Sequence, residues 1–291
     1  MGNNSTAIFL GRSTIDLTYQ LEVFPTEDTK AYSQAFHLQC GGPALNAAIT
    51  CKLLDGNARL ISCFGPSQMA HFARNIVEAQ YAVPVEDMMA NQDYDFPVSS
   101  ILVNPANASR TIVNSTPPPK SQTTELTIAP IQNCNLILLD GHNIDSNVQH
   151  QIAQAKQQGA TIVMDGGSWK PGMEDYLELI DIIICSSRFF WPKCDRQGTI
   201  TQLHNIGINT VAITNNDRPI LLSTNGQTQT IPVPQVDAVD TLGAGDVLHG
   251  AFCFYLDRGE SIERSLELAA IDASNSCRFL GTHTWQDRAN Y

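Results

Sequence analysis

The chain has 291 residues, 43% of them hydrophobic and 16% charged, which is enough apolar material for one α/β core with an appendage and too much for a disordered chain. Its formal net charge of -12 comes with no Lys/Arg cluster, so nucleic acid and anionic membrane are excluded as expected partners, while a small anionic ligand held by a few local donors is not. Eight cysteines without CxxC spacing read as free thiols in a reducing compartment, and with no leader and no apolar run near the roughly 20 residues that span a bilayer the expected location is the cytoplasm.

In chain order, short aliphatic runs at 7–10, 58–63, 136–139, 161–164, 182–185 and 210–214 predict buried parallel strands. The segments 43–54, 69–80, 146–158 and 246–257 suit crossover helices, two of which end at Gly159 and Gly259, residues that commonly stop a helix. This βαβ rhythm breaks twice. Stretches at about 16–38 and 96–116 have β-type composition without a helix, and predict two insertions that together form one small antiparallel sheet, a lid beside the main sheet. Pro117-Pro118-Pro119 then forms a short stiff connector back to the core. The whole of 1–291 reads as a single domain.

The stretch that carries chemistry is Asp240-Thr241-Leu242-Gly243-Ala244-Gly245-Asp246, followed by an apolar periodic run. Glycines flanking one small residue leave backbone N–H groups unobstructed where a helix begins, and these amides together with the helix dipole make an anion site. Asp246 would repel a phosphate bound there. The conflict resolves if its carboxylate accepts the proton of a substrate hydroxyl that attacks phosphorus, while the amides of Gly243, Ala244 and Gly245 stabilise the transferring group. His249, three residues on, is expected to pack or cap locally. A second glycine pair stands in Cys40-Gly41-Gly42-Pro43-Ala44-Leu45-Asn46, where a ligand can approach the backbone and Asn46 offers both a donor and an acceptor.

These two motifs resemble the signatures of the ribokinase-type (PfkB) carbohydrate kinases, and the resemblance extends over essentially the whole chain. It implies a doubly wound α/β/α sandwich, ribokinase-like, with a β lid, and an ATP-dependent phosphotransferase acting on a sugar hydroxyl. By that resemblance Asp16 joins Gly42 and Asn46 as sugar ligands, Asp246 is the base, and Gly243, Ala244 and Gly245 form the anion hole. Within the family the chain looks nearest to the ketohexokinase and sulfofructose kinase branch, through 24–30, the Gly-Gly-Pro-Ala turn and 109–114. Lys30, Arg110, Asn114 and His142 are then expected in the cleft, where they could meet an acidic substituent or the ATP phosphates.

The chain also departs from the family. Where many members carry N-x-x-E, it reads Cys185-Ser186-Ser187-Arg188-Phe189-Phe190, so Mg2+ is expected on the ATP phosphates with its protein ligands unassigned. The glycine-rich nucleotide loop is reduced to Thr214 and Asn216, and Asn275, on a helix over 261–276, is the candidate for the base. Asp240 matches one member of the pair that supports K+, but Leu242 replaces the usual second hydroxyl, which leaves cation activation open. Two alternatives remain: a nucleoside kinase of the same superfamily, and a sugar-binding regulatory protein without catalysis. The lid allows either a monomer or a homodimer paired through it.

Overall fold

The computed structural model describes residues 6–104, 106, 109–115 and 126–285. Its first half runs through β1 (Ala7–Gly11), β2 (Thr14–Gln20), β3 (Ala35–Gly41), α1 (Pro43–Leu53), β4 (Ala58–Ser62), α2 (Gln68–Asn75), β5 (Val85–Asp87), β6 (Val98–Asn104) and β7 (Ser109–Asn114). The second half holds β8 (Leu136–Leu139), α3 (Ser146–Gln157), β9 (Thr161–Gly166), β10 (Ile182–Cys185), α4 (Arg196–Asn205), β11 (Thr210–Asn215), β12 (Arg218–Thr224), β13 (Gln227–Ile231), α5 (Ala244–Asp257) and α6 (Ile262–Ser276).

Nine strands form the central sheet in the order β13-β12-β11-β10-β9-β8-β1-β4-β5. From β11 to β5 the neighbours pair in parallel, and β12 and β13 fold back as antiparallel additions at one edge. Alternation along a strand sends successive side chains to opposite faces. In β1, Ala7 and Phe9 join the cluster under α1, α5 and α6, whereas Ile8 and Leu10 join the one under α3 and α4. Two helical layers therefore cover one sheet, the doubly wound α/β/α sandwich that the family resemblance implies and the βαβ rhythm fits. Among the described residues no helix is long and apolar enough to cross a membrane.

The lid is a separate four-stranded sheet in the order β3-β2-β6-β7. Its two hairpins, β2–β3 and β6–β7, are antiparallel as expected, and they join through a parallel pairing of β2 with β6. That pairing links residues more than 80 positions apart in sequence, Ile15 with Val98 and Gln20 with Val103. Two further differences have local causes. The 69–80 helix is α-helical only over Gln68–Asn75 and continues as a π-helical turn over Ile76–Gln80. The hairpin β12–β13 escapes a reading by apolar runs because β13 is Gln-Thr-Gln-Thr-Ile with its first four residues exposed. The Pro117-Pro118-Pro119 connector and residue 116 lie outside the described residues.

Helices α1 and α5 approach so closely that a Cβ on Gly250 would strike the Ala47 carbonyl oxygen. This contact sets Asn46, in the first turn of α1, beside Asp246, in the first turn of α5. Both helices point their N-termini at the carboxyl end of the parallel strands, where ligands bind in open α/β sheets.

Candidate active site

Helix α5 starts at a left-handed Gly243, φ 76°, and no side chain caps it. The turn before it is braced from outside. Asp240 accepts the Leu242 N–H at 2.9 Å on one carboxylate oxygen and the Gly281 N–H at 3.1 Å on the other, while Thr282 packs where a Gly243 side chain would stand. Beyond Gly245 the space is open, since a Cβ there would meet nothing within 4 Å. A helix N-terminus that is uncapped, rigidly held and open in front is suited to a phosphate.

Asp246 stands at the edge of this opening. Its Oδ2 accepts from Asn46 Nδ2 at 2.6 Å. Protein surrounds it on its other sides, and burial, then the charge of nearby Asp165, pushes its carboxyl up to about 7, against the pull of Asn46 and His249. A carboxylate of that character is close to the optimum for taking a proton at neutral pH. Asn46 Oδ1, on the same amide, is buried and has no hydrogen-bond partner among the described residues. It therefore presents an acceptor for a donor that those residues do not supply, which a ligand hydroxyl could be.

The lid delivers Asp16. Its Oδ1 accepts from Thr14 Oγ1 at 2.8 Å, and a Cβ on Gly41 would collide with its Oδ2. The first glycine of the Gly41-Gly42 pair thus makes room for Asp16. The second, with φ 100°, passes so close to the Arg12 carbonyl that no side chain fits before α1 begins. Burial raises the Asp16 carboxyl, opposed by bonds from Thr14 and Ser99 and by the charge of Arg12.

Register places further candidates. Asp16 pairs with Ser99 and Ser99 with Asn114, so the three share one lid face, and Ser99 donates to Asn114 Oδ1 at 2.9 Å. Arg110 is on that face too but exposed, four residues along β7 from Asn114, about 13 Å at strand rise. Lys30 is exposed in the loop between β2 and β3. His142 follows β8, with 20% of its side chain exposed, and its Nδ1 is 3.1 Å from Asp140 Oδ1. On the far side, the Thr214 hydroxyl donates to the Cys185 carbonyl at 3.3 Å, tying β11 to β10, and Asn216, φ 54°, turns the β11–β12 hairpin. Asn275 is half-buried in the last turn of α6. The structure thus joins Asn46 to Asp246 at the helix start formed by Gly243, Ala244 and Gly245, sets Asp16 against the Gly41-Gly42 turn with Asn114 on the same lid face, and ties His142 to Asp140 at the end of β8; no contact among the described residues joins Lys30, Arg110, Thr214, Asn216 or Asn275 to them.

Three buried residues at the floor were not among the site residues expected from the sequence: Asp140, Asp165 and His249. Asp140 accepts the backbone N–H groups of Arg12 at 2.8 Å, Ala44 at 3.2 Å and His142 at 2.9 Å. It knots the ends of β1 and β8 to the start of α1, and burial alone would raise its carboxyl, but His142 and these N–H groups hold it below the usual range. Its position at the carboxyl end of a predicted strand was the available signal.

Among the described residues no group of three or more His, Cys, Asp and Glu side chains is placed to hold a metal ion. An all-protein Mg2+ cage is therefore not formed, although Mg2+ carried by phosphates and water needs only one or two carboxylates.

Residues 5–286 match the family model described as pfkB family carbohydrate kinase. Deoxyribokinase of Salmonella typhi is 24% identical over 298 residues, covering 94% of this chain and 93% of that protein, and mouse ketohexokinase is 23% identical over 288 residues, covering 94% and 96%. A crystal structure of Arabidopsis thaliana ribokinase complexed with ribose and ATP superposes with a TM-score of 0.77 at 18% identity, covering 95% of this chain and 94% of that one.

Proposed function

The chain belongs to the pfkB family of carbohydrate kinases, and on that premise we propose that it transfers the γ-phosphoryl group of ATP to a sugar hydroxyl with Asp246 as the general base. The substrate hydroxyl sits between Asp246 and the open α5 N-terminus, with Asp16 and the Asn46 acceptor holding neighbouring hydroxyls. Asp246 takes the proton as the oxygen attacks phosphorus, and the amides of Gly243, Ala244 and Gly245 meet the charge on the transferring group. Mg2+ supplies charge neutralisation on the ATP phosphates, and Thr214, Asn216 and Asn275 are the nucleotide-side contacts. The observation that carries this reading is the Asn46–Asp246 bond at 2.6 Å beside an uncapped helix start.

Incubation with ATP, Mg2+ and separate sugars and nucleosides, followed by ADP release, tests it. Phosphorylation of nucleosides but not of free sugars would replace the acceptor class. ADP release at the parental rate from an Asp246→Asn variant would remove the assignment of the base.

The acceptor within that class is proposed to carry an acidic substituent, met by Asn114, Arg110 and Lys30 from the lid and by His142 after β8. Deoxyribokinase and ketohexokinase stand within one percentage point of each other, so identity does not choose a branch, and the support is that Asn114 and Arg110 share the lid face of Asp16. A Lys30→Ala variant should lose turnover on an anionic sugar by about tenfold more than on a neutral one. Equal losses on the two would defeat the idea.

A homodimer through the lid is supported by the face opposite Asp16, where Phe36, Leu38 and Val113 are 50%, 44% and 62% exposed. Sedimentation of the wild-type chain and of a Phe36→Asp variant tests this. K+ activation has less behind it, because both Asp240 oxygens already brace the loop before α5.

A further inference from the structure

One turn beyond Asp246 on α5, His249 faces acceptors at both ring nitrogens. Nδ1 is 2.6 Å from the Gly245 carbonyl oxygen, and Nε2 is 3.1 Å from the Ile184 carbonyl oxygen in β10. Asp165 Oδ1, from β9, is 3.6 Å from the same Nε2. A neutral imidazole has one N–H and one bare lone pair. Either tautomer would press that lone pair against a carbonyl oxygen at hydrogen-bonding distance, and with 6% of the side chain exposed water has little access to intervene. Protons on both nitrogens satisfy both carbonyls, and the Asp165 carboxylate supplies the countercharge that a buried cation requires.

Each partner of the ring touches the chemistry. A grip on the Gly245 carbonyl fixes the orientation of the Gly245–Asp246 peptide, the unit that joins the proposed anion hole to the base. Asp165 is the charge that most opposes ionisation of Asp246. We propose that His249 is a positioning residue, an imidazolium paired with Asp165 that holds the Gly245 peptide in place and keeps Asp246 able to ionise.

The charges around the pair come from every side. Asp246 is faced by Asn46 from α1, Asp165 from β9, Asp140 from the end of β8 and His249 on its own helix. Asp165 is faced by His249, by Asp140, and by Lys170 and His142 from the loops after β9 and β8, with the Cys185 thiol beside it on β10. Among the described groups acting on Asp246, His249 is the only cation. Without it, the Asn46 hydrogen bond alone opposes burial, Asp165 and Asp140.

The inference rests on Asp246 as the base for its kinetic consequence, but not for its first test. Nitrogen-15 spectra of the histidine-labelled wild-type protein, with His249 assigned by its loss in a His249→Gln variant, should show both ring nitrogens protonated at pH 7. A pattern of one protonated and one bare nitrogen at pH 7 would overturn the proposal. In the pH profile of kcat, His249→Gln should move the acid limb upward by about one unit, a loss of about tenfold at pH 6.5 that narrows to under about threefold at pH 9. Adding Asp165→Asn to the same chain should draw the limb back. A loss equal at all pH values would leave His249 a packing residue and also overturn the proposal, whereas an unchanged profile with both nitrogens protonated would sink the link to Asp246.

Discussion

Replacing Asp246 with Asn should abolish turnover and stabilise the fold, and the two effects have one cause. Burial and Asp165 lift the folded carboxyl from 3.8 to about 7, so the folded protein holds a proton that the unfolded chain releases from about pH 4 upward. Because the folded value is the higher one, the stabilisation from that proton is complete below the unfolded value, is lost progressively as pH rises towards 7, and is gone above it. The gap is about 3 units at about 1.4 kcal/mol each, a ceiling of about 4 kcal/mol. Asp165 shares the unfavourable field, so about half is the better expectation, roughly 2 kcal/mol, or about 4–8 °C in Tm at about 2–4 °C per kcal/mol. The amide keeps an oxygen for Asn46 and carries no charge, so Asp246→Asn avoids the loss. Melting both proteins without ligand from pH 5 to 9 should show a Tm difference that grows to about pH 7 and then levels, while ADP release from the variant falls about 10²–10⁴-fold. A variant that melts no higher than wild type at pH 8 would refute the electrostatic reasoning.

Gly245→Ala and Gly243→Ala should part company although the two glycines are neighbours in one turn. The first places its methyl in open space inside a helix and should fold as well as wild type or better, yet raise the KM for ATP by about tenfold or more, since that space is where the phosphate is proposed to sit. The second forces a side chain onto φ 76° and to within 2.5 Å of Thr282, and should lower Tm as well as activity. Asp140→Asn leaves an amide NH2 among N–H donors and should cost about 2–3 kcal/mol. Its folded carboxyl is held low, so the contribution is present at neutral pH and is lost as pH falls through the acid range. Thermal melts should therefore show the Asp140→Asn deficit shrinking towards about pH 3, the reverse of the Asp246→Asn profile.

How much could be read in advance follows from the length scale of each feature. The parallel strands were legible because each is buried on both faces and therefore apolar without interruption, as in Leu136–Leu139 and Ile182–Cys185, both with every residue buried. The edge strand β13 was not, because a strand with one solvated face and a solvated edge has polar composition. The lid hairpins were visible in local alternation, but the parallel seam of β2 with β6 depends on two insertions meeting in space, which no local pattern encodes. The anion hole and Asp246 were legible because seven consecutive residues hold the free amides, the helix start and the base together.

The floor of the site lies at the other extreme, and it explains why three aspartates at one sheet edge differ. Asp140 and Asp246 are both acids at the carboxyl end of the sheet, and each has a glycine as its immediate neighbour in sequence. Their characters separate only through contacts 96, 128 and 200 residues apart: backbone N–H groups of Ala44 and Arg12 converge on Asp140, whereas Asp246 receives a single amide from Asn46 and the field of another acid. The first carboxylate is satisfied and holds three elements together. The second is left short of donors, and that shortage makes it basic enough to accept a proton from an alcohol. Asp165 stands between them, its carboxyl raised by burial against the pull chiefly of His249, so the charge on that one imidazole bears on whether the second carboxylate is short enough of support to be basic yet still ionised when substrate arrives.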